Sequence, residues 1–221
     1  MSGIKYYVID TETTGLKHNY HEITEISIIR CDDRVQLYKN IICDHPERAS
    51  IDALAMTNKT IKDLYIGQPK EVVVQECNKF FSEDGLTPAH RCIVAHNAPF
   101  DRKFLHALWE FIGQEFPANL WLDTISLTQK FINNSYAGTI NITKTATGRI
   151  SKTLHSACDI VGVKKLSGAH NAKIDSRNTY LLWKKLIEDH KIDYLSDIKT
   201  VIHTINKDDD AVLDIDLNDF I

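Results

Sequence analysis

The chain has 221 residues, 43 % of them hydrophobic and 25 % charged, with a formal net charge of −4. This is ordinary globular composition on a length that buries a core without disulfides or a structural metal. It excludes a strongly basic protein that coats nucleic acid. No apolar run is long enough to span a bilayer. Met1-Ser2-Gly3 leads straight into Ile4–Ile9 rather than into a secretory leader. The expected location is therefore the cytoplasm or another reducing intracellular compartment, with no secretion and no membrane partner. Cys31, Cys43, Cys77, Cys92 and Cys158 form no CxxC pair, and no HExxH occurs. The cysteines read as small buried thiols.

Three runs rich in Ile, Val and Tyr open the chain: Lys5–Ile9, Ile23–Arg30 and Val35–Ile42. Their short links predict an antiparallel meander. Val72–Phe81 has helical period, with Val73, Cys77, Phe80 and Phe81 on one face. A short buried strand, Cys92–Ala95, is followed by a helix from Pro99 to about Gly113. A second short strand, Leu120–Asp123, leads into a helix over Thr124–Phe131. Asn133–Lys152 is polar and loop-like, although Thr139–Thr143 alternates like an edge strand. Helices are expected at Thr153–Val161 and about Asp175–His190, and Trp109, Trp121 and Trp183 read as core. The alternation predicts an α/β fold, a mixed sheet with helices packed on it.

Residues 191–206 are expected to form a helical extension. Residues 207–221 hold one lysine and six aspartates, so the tail carries −5 and the rest about +1. Acidic and apolar residues alternate in it. That composition suits a flexible solvated tail or a docking peptide.

Three stretches carry chemistry. Asp10-Thr11-Glu12-Thr13-Thr14-Gly15 ends the first strand. Residues i and i+2 of a strand share a face, so Asp10 and Glu12 project side by side, and a divalent cation relieves their repulsion. Otherwise the pair is a solvated strand end. In His96-Asn97-Ala98-Pro99-Phe100-Asp101, Pro99 suits the first position of a helix. Asp101 is then either a charge on the helix dipole or a third acid at a strand's C-terminal edge. His170 and Asp175 enter the last long helix. A loop His near neutral pKa suits a general base, but a surface His and a helix-start Asp need no function.

Together, in this order and spacing, the stretches resemble the three motifs of the DEDDh, or DnaQ-like, family of 3′→5′ exonucleases. The position where the sister class carries Tyr is Asn171 here, and Asp123-Thr124 also matches a common family feature. The resemblance runs from residue 4 to about 188 and implies an exonuclease domain over 1–190. The implied fold is RNase H-like: a five-stranded mixed sheet, first antiparallel and then parallel, flanked by helices. The longer Asn133–Lys152 segment and the tail lie outside the family pattern.

The resemblance further implies hydrolysis by two divalent ions, Mg²⁺ with Mn²⁺ as a substitute. Asp10, Glu12 and Asp175 would hold one ion. Asp10 would bridge to the second, helped by Asp101 directly or through water. His170 would take the proton of the attacking water, and the product would be a nucleoside 5′-monophosphate. Thr13, Leu16, His96, Asn97 and Phe100 would touch substrate, Leu16 as a wedge and Phe100 by stacking, unless Phe100 is core. The substrate would be 3′ ends of single-stranded nucleic acid, DNA favoured, in proofreading or repair. RNA trimming and a non-catalytic nucleic-acid-binding module are the alternatives. A polymerase, a sliding clamp or a single-stranded-DNA-binding protein could dock on residues 207–221, and a homodimer is also compatible.

Overall fold

The computed structural model describes residues 3–134, 148–168 and 170–204, and the backbone of residues 211–213. Seven strands form one sheet among the described residues. They are β1 (Lys5–Thr13), β2 (Ile23–Arg30), β3 (Gln36–Asn40), β4 (Arg91–Ala95), β5 (Leu120–Asp123), β6 (Lys199–Ile202) and β7 (Ala211–Leu213). Their order is β3-β2-β1-β4-β5-β6-β7. β1, β2 and β3 pair antiparallel, as the short links predict. β1, β4 and β5 pair parallel.

Parallel strands need crossover helices, and helices cover both faces of a parallel sheet. All five residues of β4 are accordingly buried. The helices are α1 (Ile51–Thr57), α2 (Lys70–Ser82), α3 (Ala98–Phe111), α4 (Thr124–Asn134), α5 (Leu154–Val161) and α6 (Ala172–Lys184).

Side-chain alternation along β1 sorts the core into two layers. Tyr7 and Ile9 pack with Val73, Phe81, Phe104 and Trp109 of α2 and α3. Val8 packs with Ala157, Cys158 and Leu182 of α5 and α6. Trp109 and Phe81 are fully buried. Each such side chain contributes about 1.5–3 kcal/mol relative to exposure. Trp121 is buried too, whereas Trp183 is half-buried at the edge of the second layer. All five cysteines are free thiols, four of them buried.

Several expectations need correction. The sheet has seven strands and not five, because the chain after α6 adds β6 and β7. The described part of the expected helical extension over 191–206, residues 191–204, is not helical: a single tight turn, Leu195–Asp197, precedes β6. Lys199-Thr200-Val201-Ile202 pairs with β5 and buries Thr200 and Val201, which extends the sheet beyond β5. The last long helix starts three residues early, at Ala172, and its regular part stops at Lys184, passing into one wider turn, Lys185–Asp189. α1 was not foreseen, because none of its residues is buried and it has no apolar stripe to announce it. The alternating Thr139–Thr143 segment and most of the acidic tail lie outside the described residues. No described helix is long and apolar enough to cross a membrane.

Candidate active site

The site forms where β1 and β4 end and where α3 and α6 begin. Asp10 and Glu12, two apart on β1, point to the same face as Val8, which is the α6 layer. Asp175 lies in the first turn of α6, and one carboxylate oxygen from each of these three residues lies within 4.8 Å of the other two. The odd-numbered Thr11 faces the other layer. There its backbone N–H (3.0 Å) and hydroxyl (2.8 Å) both donate to Oδ1 of Asp101, in the first turn of α3. Asp101 is thus held against the same strand from the opposite side of the sheet. The structure brings together Asp10, Glu12 and Asp175, with Asp101 as a neighbour of Asp10 rather than a member of the trio.

The local folding of each piece is explicable. Gly15 is needed because a β-carbon there would sit 2.3 Å from the His21 ring, which is itself tied to the Lys17 backbone. Thr14 accepts a bond from the Glu22 N–H and closes the loop after β1. At the second motif, Asn97 takes a left-handed conformation (φ 71°), which Asn tolerates better than most residues. Asp123 holds that turn: its Oδ1 accepts from the N–H groups of Asn97 and Ile125. His170 also sits at positive φ (59°), and its N–H donates to Oδ2 of Asp175 at 2.8 Å. Its imidazole is exposed at the entry to α6, beside the carboxylate trio.

The electrostatics are unfavourable for acids. Burial, and then the charges of Asp101, Glu12, Asp175 and Glu25, push Asp10 well above the usual carboxylate range. Burial and the neighbouring Glu25 and Asp175 raise Glu12 to about 8, although Lys59 pulls the other way. Asp101 is raised by burial, against the opposing hydrogen bonds from Thr11. Crowded carboxylates that resist ionisation fit a bound divalent cation, which supplies the missing positive charge. The donors are all oxygen, the set preferred by Mg²⁺ and Mn²⁺ over zinc.

The expected substrate residues separate into two kinds. Leu16 is 83 % exposed beside the site and available for contact. Thr13 spends its hydroxyl on the Gly15 carbonyl. Phe100 is half-buried and tilted against Phe104 at 4.9 Å. The exposed Asn97 contributes its backbone turn, as described. His96 is engaged at both ring nitrogens, by Thr124 Oγ1 and by the Lys152 carbonyl, each at 2.8 Å. It works as a strut between β4, α4 and the segment before α5. Burial lowers its pKa, which suits a neutral ring used in this way. Asp123 and Thr124 therefore hold the second motif in place, a role the sequence alone did not reveal.

Two participants were missed. Glu25 on β2 stands directly across from Glu12 and is only 3 % exposed. It accepts from Lys59 and from the Ala172 N–H at the start of α6. Glu25 thus ties the helix that carries Asp175 to the strand facing Glu12, and Lys59 supplies its counter-charge. An acid inside the Ile23–Ile29 run was the available signal, but only the register places it opposite Glu12.

Comparison with known proteins agrees with this geometry. The profile of a family described as Exonuclease matches residues 7–183. DNA polymerase III PolC-type of Listeria monocytogenes is 29 % identical over 200 residues, 86 % of this chain but 12 % of that protein. The PolC-type polymerase of Staphylococcus saprophyticus is 32 % identical over 132 residues, 59 % of this chain and 9 % of that one. Among solved structures, E. coli Exonuclease I in complex with a dT13 oligonucleotide superposes with a TM-score of 0.67 at 17 % identity. The match covers 84 % of this chain and 41 % of that one. Exonuclease I of Methylocaldum szegediense gives 0.66 at 17 % identity over 85 % of this chain and 41 % of its own. The chain spans about a tenth of the polymerases it matches and under half of the exonucleases. With four acids and a histidine at the family's motif positions, on an RNase H-like sheet, the chain belongs to the DEDDh, DnaQ-like exonuclease family.

Proposed function

We propose that the protein removes nucleotides from the 3′ end of single-stranded nucleic acid, DNA in preference, releasing nucleoside 5′-monophosphates. The observation that carries this reading is the convergence of Asp10, Glu12 and Asp175 from two elements, with Asp101 behind β1 and His170 at the entrance. Asp10, Glu12 and Asp175 would hold a divalent cation, and Asp10 with Asp101 a second. When bound, such ions stabilise charge on the attacking and leaving oxygens. His170 accepts the proton of the attacking water, and the Asp175 carboxylate steadies the backbone that carries it. Leu16 meets the terminal base, and Thr13 and Gly15 keep the loop close to it. Likeness to PolC-type polymerases supports a proofreading role over general repair.

The test uses 5′-labelled single-stranded DNA and RNA oligonucleotides with duplex controls, in Mg²⁺, Mn²⁺ or EDTA. The expected result is a metal-dependent ladder shortening from the 3′ end, faster on DNA and absent in Asp10→Ala. A ladder faster on RNA would move the assignment to RNA trimming. Intact substrate in every lane would leave a binding module.

A further inference from the structure

We propose that a cavity beside the loop after β1 binds one upstream nucleotide unit of the same single strand, away from the scissile end. This rests on the nucleic-acid reading above. The cavity has a volume of about 260 Å³ and lies between that loop, the Asp44–Arg48 segment, Lys70 and the outer face of α3. That is just below the ~300 Å³ at which drug-sized ligand pockets begin, the scale of a single nucleotide.

Its lining is built for a base and a phosphate. Tyr20 (49 % exposed) and Phe111 (58 %) both present aromatic surface to it. Each ring is backed by a cation, Arg48 at 5.1 Å from the Tyr20 centroid and Lys70 at 4.8 Å from that of Phe111. The Lys70 charge is already spent on Glu22 (2.9 Å) and Asp44 (2.7 Å). Arg48 joins no ion pair among the described residues and is the cation left to meet a phosphate. Aromatic platforms next to such a cation are how proteins hold single strands without reading sequence.

Packed rings also link the cavity wall to the catalytic end. Phe100, next to Asp101, packs on Phe104 at 4.9 Å, and His18 packs edge-on to Phe104 at 6.4 Å. Phe104 and His18 line the cavity. From Asp101 to Phe111, α3 rises about 15 Å, or roughly four stacked nucleotide steps. A strand with its 3′ end at Asp10 and Asp175 thus reaches the cavity with its fourth or fifth nucleotide.

The test is length-dependent binding of the full chain, in EDTA, to fluorescein-labelled thymidine trinucleotide and octanucleotide. One stacked base makes the octanucleotide bind about tenfold tighter. Tyr20→Ala with Phe111→Ala should erase that step while leaving trinucleotide affinity unchanged. Arg48→Gln should lower the salt slope for the octanucleotide by about 1. Both rings are exposed, so circular dichroism should stay native. A step that survives in a natively folded double variant overturns the proposal. So does competition by free thymidine 5′-monophosphate at the cavity alone, which would make it a mononucleotide site. A wild-type chain that hydrolyses DNA but lacks the step overturns the cavity and not the exonuclease. One that shows the step without hydrolysis does the reverse. Failure of the octanucleotide to bind overturns the cavity, while the exonuclease reading stands or falls with the metal-dependent ladder.

Discussion

One enclosed acid and one cluster of crowded acids sit near the central strands, and they are treated in opposite ways. Near the start of β4, Asp84 is wholly enclosed and meets Arg91 at 2.7 Å. It also accepts from the Tyr7 hydroxyl and the Leu86 N–H. Burial alone would raise its pKa, but the Arg91 bonds, the Leu86 N–H and the Tyr7 hydroxyl more than offset this and bring it to about 2. At the other end, Asp10, Glu12, Asp101 and Asp175 crowd together, and Lys59, the cation that acts on Glu12, is already committed to Glu25. Glu12 rises to about 8. A fold able to neutralise a buried carboxylate so fully at one end has left several under-neutralised at the other. Under-neutralised acids in a cleft mark function more sharply than acids as such.

The contrast can be broken first at its functional end. Asp10→Asn should lower turnover by about three orders of magnitude, the several kcal/mol a metal ion contributes to such a transition state. In EDTA the same variant should melt no lower than wild type, since it removes a repelled charge. A large fall in Tm would show that Asp10 is structural.

The matching change at the other end should act on stability. Arg91→Ala strands Asp84 without its partner and should cost about 3–5 kcal/mol by urea denaturation. Loss of less than 1 kcal/mol would mean that water reaches Asp84.

pH sharpens the comparison because the two ends have opposite signs. Glu12 titrates higher folded than unfolded, so the folded state binds the extra proton. Without metal, its contribution is most favourable below about 4.5 and is lost as pH rises through about 8. Asp84 titrates lower when folded, so its contribution is present above 3.8 and lost as pH falls through about 2. Thermal melts in EDTA should therefore decline between pH 5 and pH 8. Added Mn²⁺ at a hundred times its Kd should restore about 2.7 kcal/mol. A flat profile in that window would remove Glu12 from the repelled group.

His96→Ala should be milder, about 1–3 kcal/mol of stability from two stranded hydrogen-bond partners. KM for oligonucleotides should change little, and a rise in KM with unchanged stability would return His96 to substrate contact. Smallest is Thr11→Val, which removes one bond to Asp101 and costs about 1 kcal/mol. It should also shift the acid limb of the rate profile upward, because that bond favours the ionised carboxylate.

The candidate catalytic positions were legible because each motif is local: Asp10 and Glu12 on one strand, Asp101 and Asp175 at helix starts. The supporting positions were not. Glu25 reads as one polar residue in an apolar strand until the register sets it opposite Glu12. His96 looks like a substrate ligand because its partners, Thr124 and Lys152, are 28 and 56 residues away. α1 hides because it buries nothing, and β6 hides because four residues are too few for a period to emerge. Local chemistry is written in neighbours, whereas the restraint that aims it is written across the sheet.

The origin of Asp175 has a consequence for biosynthesis. The trio needs a side chain from α6, which follows β1, β4 and α3 in the chain. A nascent chain that has finished β1, β4 and α3 holds Asp10, Glu12 and Asp101 but no complete metal cluster. A fragment cut before α6 should therefore fail to bind the divalent cation that the full trio would hold.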